Sequence, residues 1–243
     1  MCSSDLSEGR IDAGDAAARL RVAIETVRRD LDSLQRRGLL RRVHGGAISL
    51  DRMPHESTMP ERRSSHTGAK RAIAAVAATH IPHEGAIFVD GGTTTELLAE
   101  HLVNRPALLV VTNNIPLANQ VAESTTPVHL LSGRLRSTTL SSLGSRTVQD
   151  IANFRAQIVF RGANGLSAEW GFTTSDPEEA AVKQAMMRVA QESIVLADGS
   201  KFDSVFPSVF AASADIDRVV TDIEAPQAQV EQMVAAGVEV TLA

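Results

Sequence analysis

Residues 86–95 have the sequence Ala-Ile-Phe-Val-Asp-Gly-Gly-Thr-Thr-Thr, a short apolar run followed at once by a turn of small polar residues. Four consecutive apolar residues predict a strand buried on both faces, which is typical of a parallel sheet covered by helices. In that architecture ligands bind beyond the carboxyl ends of the strands. Free backbone N–H groups and threonine hydroxyls at the start of the next helix favour an anion such as phosphate.

The same alternation continues along the chain and predicts the fold class. A helix is expected from the glycine turn to Leu102 and another over 177–191, and further apolar runs lie between helical stretches. These runs occupy residues 108–111, 128–131, 157–160, 193–196, 218–220 and 238–240. Repeated βα units predict a Rossmann-like α/β domain with a mostly parallel sheet.

Polar turns follow the other predicted strands as well, at 112–114, 132–136, 162–165 and 198–201. Glycine, asparagine and aspartate are common wherever a strand ends, so turn formation alone explains any one of them. Their recurrence favours a shared site. The alternative, that the glycine turn only joins strand to helix and binds nothing, stays open.

Three well-known motifs are missing from the chain. It contains no Gly-x-Gly-x-x-Gly followed by an acidic residue, no Gly-x-x-x-x-Gly-Lys-Ser/Thr and no Gly-x-Ser-x-Gly. We therefore exclude a dinucleotide site, a nucleoside triphosphate site of the Walker type and a hydrolase elbow.

The N-terminal part has a different pattern. Ile24, Val27, Leu31 and Leu34 recur at helical spacing and predict an amphipathic helix that ends near Arg37. A shorter helix is expected before it, from about Ala13. Gly38 ends the second helix, and two β-prone runs around Gly45-Gly46, within 39–50, predict a hairpin. This order is that of a winged helix-turn-helix, in which the second helix enters the major groove of DNA.

The charge distribution supports this division. The net charge is −5, but residues 21–46 carry seven arginines against three acidic residues, a local +4, and the remainder carries −9. A basic module on an acidic body is typical of a DNA-reading head. The alternative is that these arginines form a solvated face paired with Asp30 and Asp32.

The length of 243 residues favours a large domain and a small one. We predict a DNA-binding domain over 1–52, a linker over 53–69 that contains two prolines, and an α/β domain over 70–243, with a helix over 61–80. No apolar run approaches the roughly 20 residues that span a bilayer. The single Cys2 excludes an internal disulfide and favours the cytoplasm, and we expect neither a metal nor a cofactor.

Residues 26–31 (TVRRDL) and 38–47 (GLLRRVHGGA) resemble the DNA-binding head of DeoR-type bacterial transcriptional regulators. Two departures matter. Arg21 and Ala23 stand where the family has a small residue and a capping serine, at a cost of about 1 kcal/mol. The family also has a helix before the segment at Gly9, so the resemblance implies that the first helix is truncated or missing.

Residues from about 70 to 222 resemble the effector domain of the same regulators, which is related to ribose-5-phosphate isomerase. The resemblance rests on Asp90–Thr94, Val111–Asn114, Gly133–Arg136, Gly162–Gly165, Gly171–Thr174, Glu179–Lys183 and Ala197–Phe202. It implies a sensor of phosphorylated sugars. Arg161 departs from it, because an apolar residue is usual there, and so does Trp170. Residues 162–167 and 171–174 are similar to fructose-operon regulators, which makes fructose 1-phosphate the first effector candidate.

The resulting hypothesis is a repressor of a sugar-metabolism operon that binds double-stranded operator DNA as a homo-oligomer, a dimer or tetramer, and is released by a phosphorylated sugar. The DNA-binding residues are predicted to be Glu25, Thr26, Arg28, Arg29, Arg41, Arg42 and His44. The effector-binding residues are predicted to be Asp90, Gly91, Gly92, Thr93, Thr94, Thr95, Asn113, Arg134, Lys183, Asp198 and Lys201.

The alternative is a sugar-phosphate isomerase-like enzyme. It would use Asp90, Asp198, Lys183 or Lys201 as acid and base. An isomerase needs no DNA-reading head, so the N-terminal pattern favours the repressor, and no catalytic residue is predicted.

Overall fold

The computed structural model describes residues 10–36, 40–43, 45–49 and 56–243. The chain divides into two compact units, Met1–His55 (the head unit) and Glu56–Ala243 (the body unit). The predicted limits at 52 and 70 stay predictions. In the described residues, no helix has the length and apolar character that crossing a membrane requires.

The described part of the head unit contains two helices and a small antiparallel sheet. Its elements are β1 (Arg10–Asp12), α1 (Ala13–Leu20), α2 (Ile24–Arg36), β2 (Leu40–Val43) and β3 (Gly46–Ser49). The strand order is β1-β3-β2. The buried apolar core consists of Ala13, Ala17, Val27, Leu31, Leu40 and Ala47. Both predicted helices and the predicted hairpin are present, whereas β1 was not predicted.

Local chemistry sets the ends of α1. The Asp12 side chain caps its start, because Oδ1 accepts hydrogen bonds from the N–H groups of Gly14 (2.7 Å) and Asp15 (3.1 Å). The helix ends at Arg21, whose φ of 53° lies in the left-handed region. The turn that follows brings α2 across α1 and buries Val27 and Leu31 between them.

The body unit is built on a seven-stranded sheet in which every pair of neighbours is parallel. Its strands are β4 (Gly85–Val89), β5 (Leu108–Thr112), β6 (Val128–Leu130), β9 (Ala156–Gly162), β12 (Ala190–Leu196), β14 (Arg218–Thr221) and β15 (Glu239–Leu242). Their order is β15-β14-β12-β9-β4-β5-β6. All seven apolar runs predicted as strands belong to this sheet, and the predicted α/β class is confirmed.

Helices cover both faces of the sheet. They are α3 (Met59–Ser64), α4 (Thr67–Ala78), α5 (Thr93–Glu96), α6 (Ala99–Leu102), α7 (Ile115–Ala122), α8 (Ser145–Ile151), α9 (Pro177–Val189) and α10 (Gln227–Ala235). One apolar core includes Ile73 of α4 and Leu117 of α7 against Ile87. A second core includes Ile151 of α8 and Met186 of α9 against Phe88, the next residue of the same strand. Side chains alternate between faces along a strand, so β4 is buried on both sides.

Two small antiparallel sheets lie among the loops that follow the strands. One pairs β7 (Arg134–Arg136) with β8 (Ser141–Leu143). The other contains β10 (Gly165–Ser167), β11 (Gly171–Thr174) and β13 (Ser208–Ala211) in the order β10-β11-β13. Isolated turns were predicted at 132–136 and 162–165, because segments this short show little periodicity.

The helices near the N-terminus of the body unit differ from the prediction. Residues 59–64 of the predicted linker form α3, and Pro60 is tolerated because it lies in the first turn, where N–H groups have no acceptor. The predicted helix over 61–80 breaks before α4 at His66, whose φ is 50°. The helix predicted to run to Leu102 is also broken, into α5 and α6.

Candidate functional site

A pocket opens in the body unit at the carboxyl ends of three neighbouring strands, β4, β9 and β12. The turns that follow these strands contribute Gly91–Thr94, Gly162–Asn164 and Leu196–Asp198 to its wall. Helices and loops contribute the remaining lining residues, which are Arg62, Lys70, Thr139, Glu179, Lys183 and Lys201. The pocket therefore lies where ligands bind in parallel α/β sheets.

The glycine turn after β4 is held in one conformation. A side chain at Gly91 would place its Cβ 2.9 Å from Cβ of Ser141, so only glycine fits there. The Gly91 N–H donates to Asn113 Oδ1 at 2.9 Å, and the Thr95 hydroxyl donates to the carbonyl of Asp90 at 2.7 Å. These contacts place Thr93 and Thr94 in the pocket wall at the start of α5, where N–H groups lack acceptors within the helix.

The pocket is rich in basic side chains, four of which line it: Arg62, Lys70, Lys183 and Lys201. The Lys183 Nζ forms a buried ion pair with Asp90 Oδ2 and donates to the Gly162 carbonyl at 2.9 Å. Lys201 takes part in no ion pair within the described part of the chain. One of the two predicted lysines thus already has a counterion.

Lys70 was not predicted, yet it is among the most buried of the basic residues. Its Nζ donates to the carbonyl of Ser65 at 2.8 Å and also to the carbonyl of Arg62. Burial lowers the pKa of Lys70; the charge of Asp198 opposes this shift, and those of Lys201 and Arg62 add to it. Lys70 therefore joins the end of α3 to the pocket.

Two acidic side chains line the pocket. Asp198 is 1% exposed, and its Oδ1 accepts from the N–H of Ser200 at 3.2 Å and from the Ser200 hydroxyl. Its Oδ2 has no hydrogen-bond partner among the described residues. Glu179 accepts from the Thr174 hydroxyl at 2.6 Å and from Arg136 Nη1 at 3.3 Å. Asp198 therefore lines the pocket and carries one buried acceptor atom without a partner among the described residues.

The structure separates four predicted effector residues from the pocket wall. Asn113 uses its side chain on the Gly91 N–H and on the Ser142 carbonyl, so it braces the glycine turn. Arg134 is exposed on β7 and pairs with Glu178. Asp90 is covered by Lys183, and Thr95 bonds the backbone of its own turn. The polar atoms of these side chains are engaged by the protein itself.

Several residues that line the pocket were not predicted from the sequence. Arg62 and Lys70 precede the first strand of the sheet, whereas the strand-end rule selects only residues that follow strands. Glu179 had a signal, because it lies four residues before Lys183, and residues at that spacing share one face of a helix. Asp176 caps this helix through the N–H groups of Glu178 and Glu179.

A further basic side chain, Arg161, does not line the pocket and is fully buried in β9. Its Nη2 donates to the Ser193 hydroxyl, and its guanidinium lies 5.4 Å from the centroid of the Phe210 ring. Nε and Nη1 have no hydrogen-bond partner among the described residues. Burial lowers the pKa of Arg161 to about 10, although nearby aspartates, Asp90 first among them, oppose the shift.

The candidate DNA-binding surface lies on α2 and β2 of the head unit. Arg28 and Arg29 are exposed, and Thr26 is half-buried. Arg28 Nη1 lies 2.6 Å from Glu25 Oε1, and Arg42 Nε lies 3.2 Å from Asp32 Oδ1. Two of these arginines are thus paired with acidic residues at the surface. This pairing is what the alternative of a solvated, ion-paired face predicts.

The other predicted DNA-binding positions are less fully described. Arg29 takes part in no ion pair among the described residues. The backbone of Arg41 lies in β2, and His44 lies outside the described residues.

Comparison with known proteins identifies similarity in both units. Residues 65–223 match the family model of the DeoR C terminal sensor domain, and residues 6–53 match that of the DeoR-like helix-turn-helix domain. The HTH-type transcriptional regulator FruR of Bacillus subtilis is 36% identical over 199 residues, which cover 82% of this chain and 79% of that protein.

A second relative and one solved structure complete the comparison. The glycerol-3-phosphate regulon repressor of Escherichia coli K12 is 29% identical over 220 residues, 90% of this chain and 87% of that protein. Ribose 5-phosphate isomerase A of Methanocaldococcus jannaschii superposes with a TM-score of 0.43 at 17% identity, over 58% of this chain and 56% of that one.

Proposed function

Because the chain belongs to the DeoR family of transcriptional regulators, we propose that it represses a sugar-metabolism operon and leaves its operator when a phosphorylated sugar binds the body unit. The observation that supports the effector half of this proposal is the pocket at the carboxyl ends of parallel strands, which four basic side chains and the glycine turn line together. A phosphate group satisfies such a set of donors.

The pocket also offers contacts for the sugar. The unpartnered Oδ2 of Asp198 accepts a hydrogen bond from a hydroxyl, and Asn164 lines the same wall. Each charge-assisted hydrogen bond contributes about 1.5–3 kcal/mol. Three or four of them give a micromolar Kd after ordering costs are subtracted. An unphosphorylated sugar should bind far more weakly.

Fructose 1-phosphate is the first effector that we propose, on the resemblance of residues 162–167 and 171–174 to fructose-operon regulators. Glycerol 3-phosphate is the second probe, because the name of the E. coli relative refers to it. Both carry a phosphate monoester and at least two hydroxyl groups, and they differ in the length of the polyol.

We propose that the head unit holds DNA through α2 in the major groove and through the wing formed by β2 and β3. Arg28, Arg29, Arg41 and Arg42 would contact phosphates, and Glu25, Thr26 and His44 would lie near them or near base edges. Phosphate contacts position the protein, and base contacts select the sequence. The pairs Arg28–Glu25 and Arg42–Asp32 lie at the surface, where ion pairs are weak enough to exchange for phosphates.

The isomerase alternative has weaker support. Its acid and base would include Asp90 and Lys183, which are buried and hold each other in an ion pair. A general base works best when its pKa lies near the working pH and when the atom that accepts the proton is not held by another group. A buried pair of this kind supports a binding role, and the membership in a family of regulators supports it as well.

The test uses the purified full chain and a DNA duplex that this chain selects from a random-sequence pool. Fructose 1-phosphate should release the duplex, measured by fluorescence anisotropy, whereas fructose should not. The variant Thr94→Glu puts a carboxylate into the pocket wall, so it should bind the duplex normally and lose the response. Ser145→Glu adds the same charge at an exposed position of α8 and should respond like the unchanged chain.

The same assay tests the DNA surface. Arg29→Ala should weaken binding to every duplex and reduce the slope of log affinity against log salt by about 1, because one phosphate contact is lost. Arg71→Ala removes an exposed arginine from α4 of the body unit and serves as the control. Aldose–ketose interconversion of the sugar phosphates by the chain would instead support the isomerase.

A further inference from the structure

Glu56, the first residue of the body unit, is held by two arginines. Its Oε1 lies 2.9 Å from Arg62 Nη2 and 2.9 Å from Arg136 Nη1, and its Oε2 accepts from Arg136 Nη2. The Glu56 side chain is only 12% exposed. Burial raises its pKa, but the hydrogen bonds from Arg136 and the charges of Arg136 and Arg62 outweigh burial, and the pKa lies below its usual value.

Both arginines also reach the pocket. Arg62 lines it directly. Arg136 donates from Nη1 to Glu179 Oε1 at 3.3 Å, and Glu179 is part of the pocket wall. The same four side chains therefore connect the start of the body unit with the proposed effector site.

An anionic ligand could compete with the carboxylates of this cluster for its arginines. Arg136 forms ion pairs with Glu56, Glu179 and Asp176, and Asp176 Oδ2 lies 3.1 Å from its Nε. Arg62 holds only Glu56 among carboxylates of the described residues, and it also donates to the carbonyls of Ser57 (2.9 Å) and Thr138 (3.0 Å). An anion that enters the pocket meets Arg62 as a partly exposed donor and Glu179 as a repelling charge. Competition for Arg62 weakens the hold on Glu56.

We propose that Glu56, Arg62, Arg136 and Glu179, here called the Glu56 latch, couple occupancy of the pocket to the chain segment that joins the two units. An anionic effector takes Arg62 and releases Glu56. Because Glu56 directly follows His55, where the head unit ends, its release frees the chain at the junction. The closed latch belongs to the DNA-binding form of the protein. This inference rests on the proposed function, since it assigns the regulation of the same pocket.

Effector binding and DNA binding are thermodynamically linked, so a variant without the Glu56 carboxylate should change both affinities. Since the effector and Glu56 compete for Arg62, Glu56→Gln should bind fructose 1-phosphate more tightly and the selected duplex more weakly. The ratio of DNA affinities without and with effector, typically about 5–150-fold in coupled systems, should fall toward one. Glu178→Gln removes an acidic side chain that pairs with the exposed Arg134 outside the pocket, and it should leave this ratio unchanged.

A measurement on the unchanged chain covers the case in which Glu56→Gln fails to fold. Hydrogen–deuterium exchange of the amides of residues 56–62 should become faster when fructose 1-phosphate or inorganic phosphate binds. If these ligands release the DNA while exchange at 56–62 is unchanged or slower, the latch is wrong and the proposed function stands. If neither ligand binds, both fail.

Discussion

Arg161 shows how strongly a single residue can depart from its surroundings. It occupies the central strand β9 among fully buried apolar residues, and two of its guanidinium nitrogens have no partner among the described residues. Lys183 already pairs with Asp90, and Arg161 takes part in no ion pair among the described residues, so nearby aspartates compensate its buried charge only in part. The lowered pKa of Arg161 has the same origin, because burial removes water from the charged guanidinium and disfavours it.

We predict that Arg161→Met stabilises the body unit by about 1–4 kcal/mol, because a well-packed apolar side chain of similar length replaces a desolvated charge. Trp170 is the single tryptophan of the chain, so its fluorescence during urea unfolding follows the body unit. Arg155→Met at an exposed position should change little. Destabilisation by Arg161→Met would mean that Asp90 requires both cations.

Within the described residues, no side chain caps the start of α2. The carbonyl of Ala23 accepts from the N–H groups of Thr26 (2.9 Å) and Val27 (3.3 Å), so Ala23 occupies the capping position. An alanine there cannot accept a hydrogen bond from the first turn. The helix is held mainly by the burial of Val27 and Leu31.

Ala23→Ser should therefore stabilise α2 by about 1 kcal/mol, which corresponds to roughly fivefold slower amide exchange in that helix. Ala18→Ser makes the same change on the exposed face of α1, where serine is slightly unfavourable, and should not slow exchange. Equal exchange rates in Ala23→Ser and the unchanged chain would show that Ala23 is not the capping residue.

The DNA-attracting part of the chain is small, and we therefore predict that the protein binds DNA as an oligomer. Residues 21–46 carry +4 while the remainder carries −9, so only a small part of the surface attracts DNA. One winged helix makes few contacts with DNA, and a second copy on a second half-site would supply more.

We expect sedimentation at micromolar concentration to show at least a dimer, and the duplexes that the chain selects to contain two half-sites about 10 base pairs apart or a multiple of that. A monomer that binds a single half-site with full affinity would contradict this expectation.

The class of the fold was predictable from local patterns in the amino-acid sequence. Apolar runs and helical spacing are local patterns, and burial on one face or on both follows from them, so all seven strands of the large sheet and both helices of the described head unit were predictable. The polar turns at 90–95, 162–165 and 198–201 were predictable as parts of one site for the same reason, because parallel strands bring their carboxyl ends to one edge.

The set of side chains that line the pocket together was not predictable from local patterns, because it depends on how distant elements pack. Arg62 and Lys70 precede the sheet in sequence and line the pocket because α3 and α4 contact α5, the helix that follows the glycine turn. Lys183 is balanced by Asp90 across 93 residues of sequence, and Arg134 is turned toward Glu178 on the surface. Charge pairing depends on distances between elements that are remote in the chain, and no local pattern contains those distances.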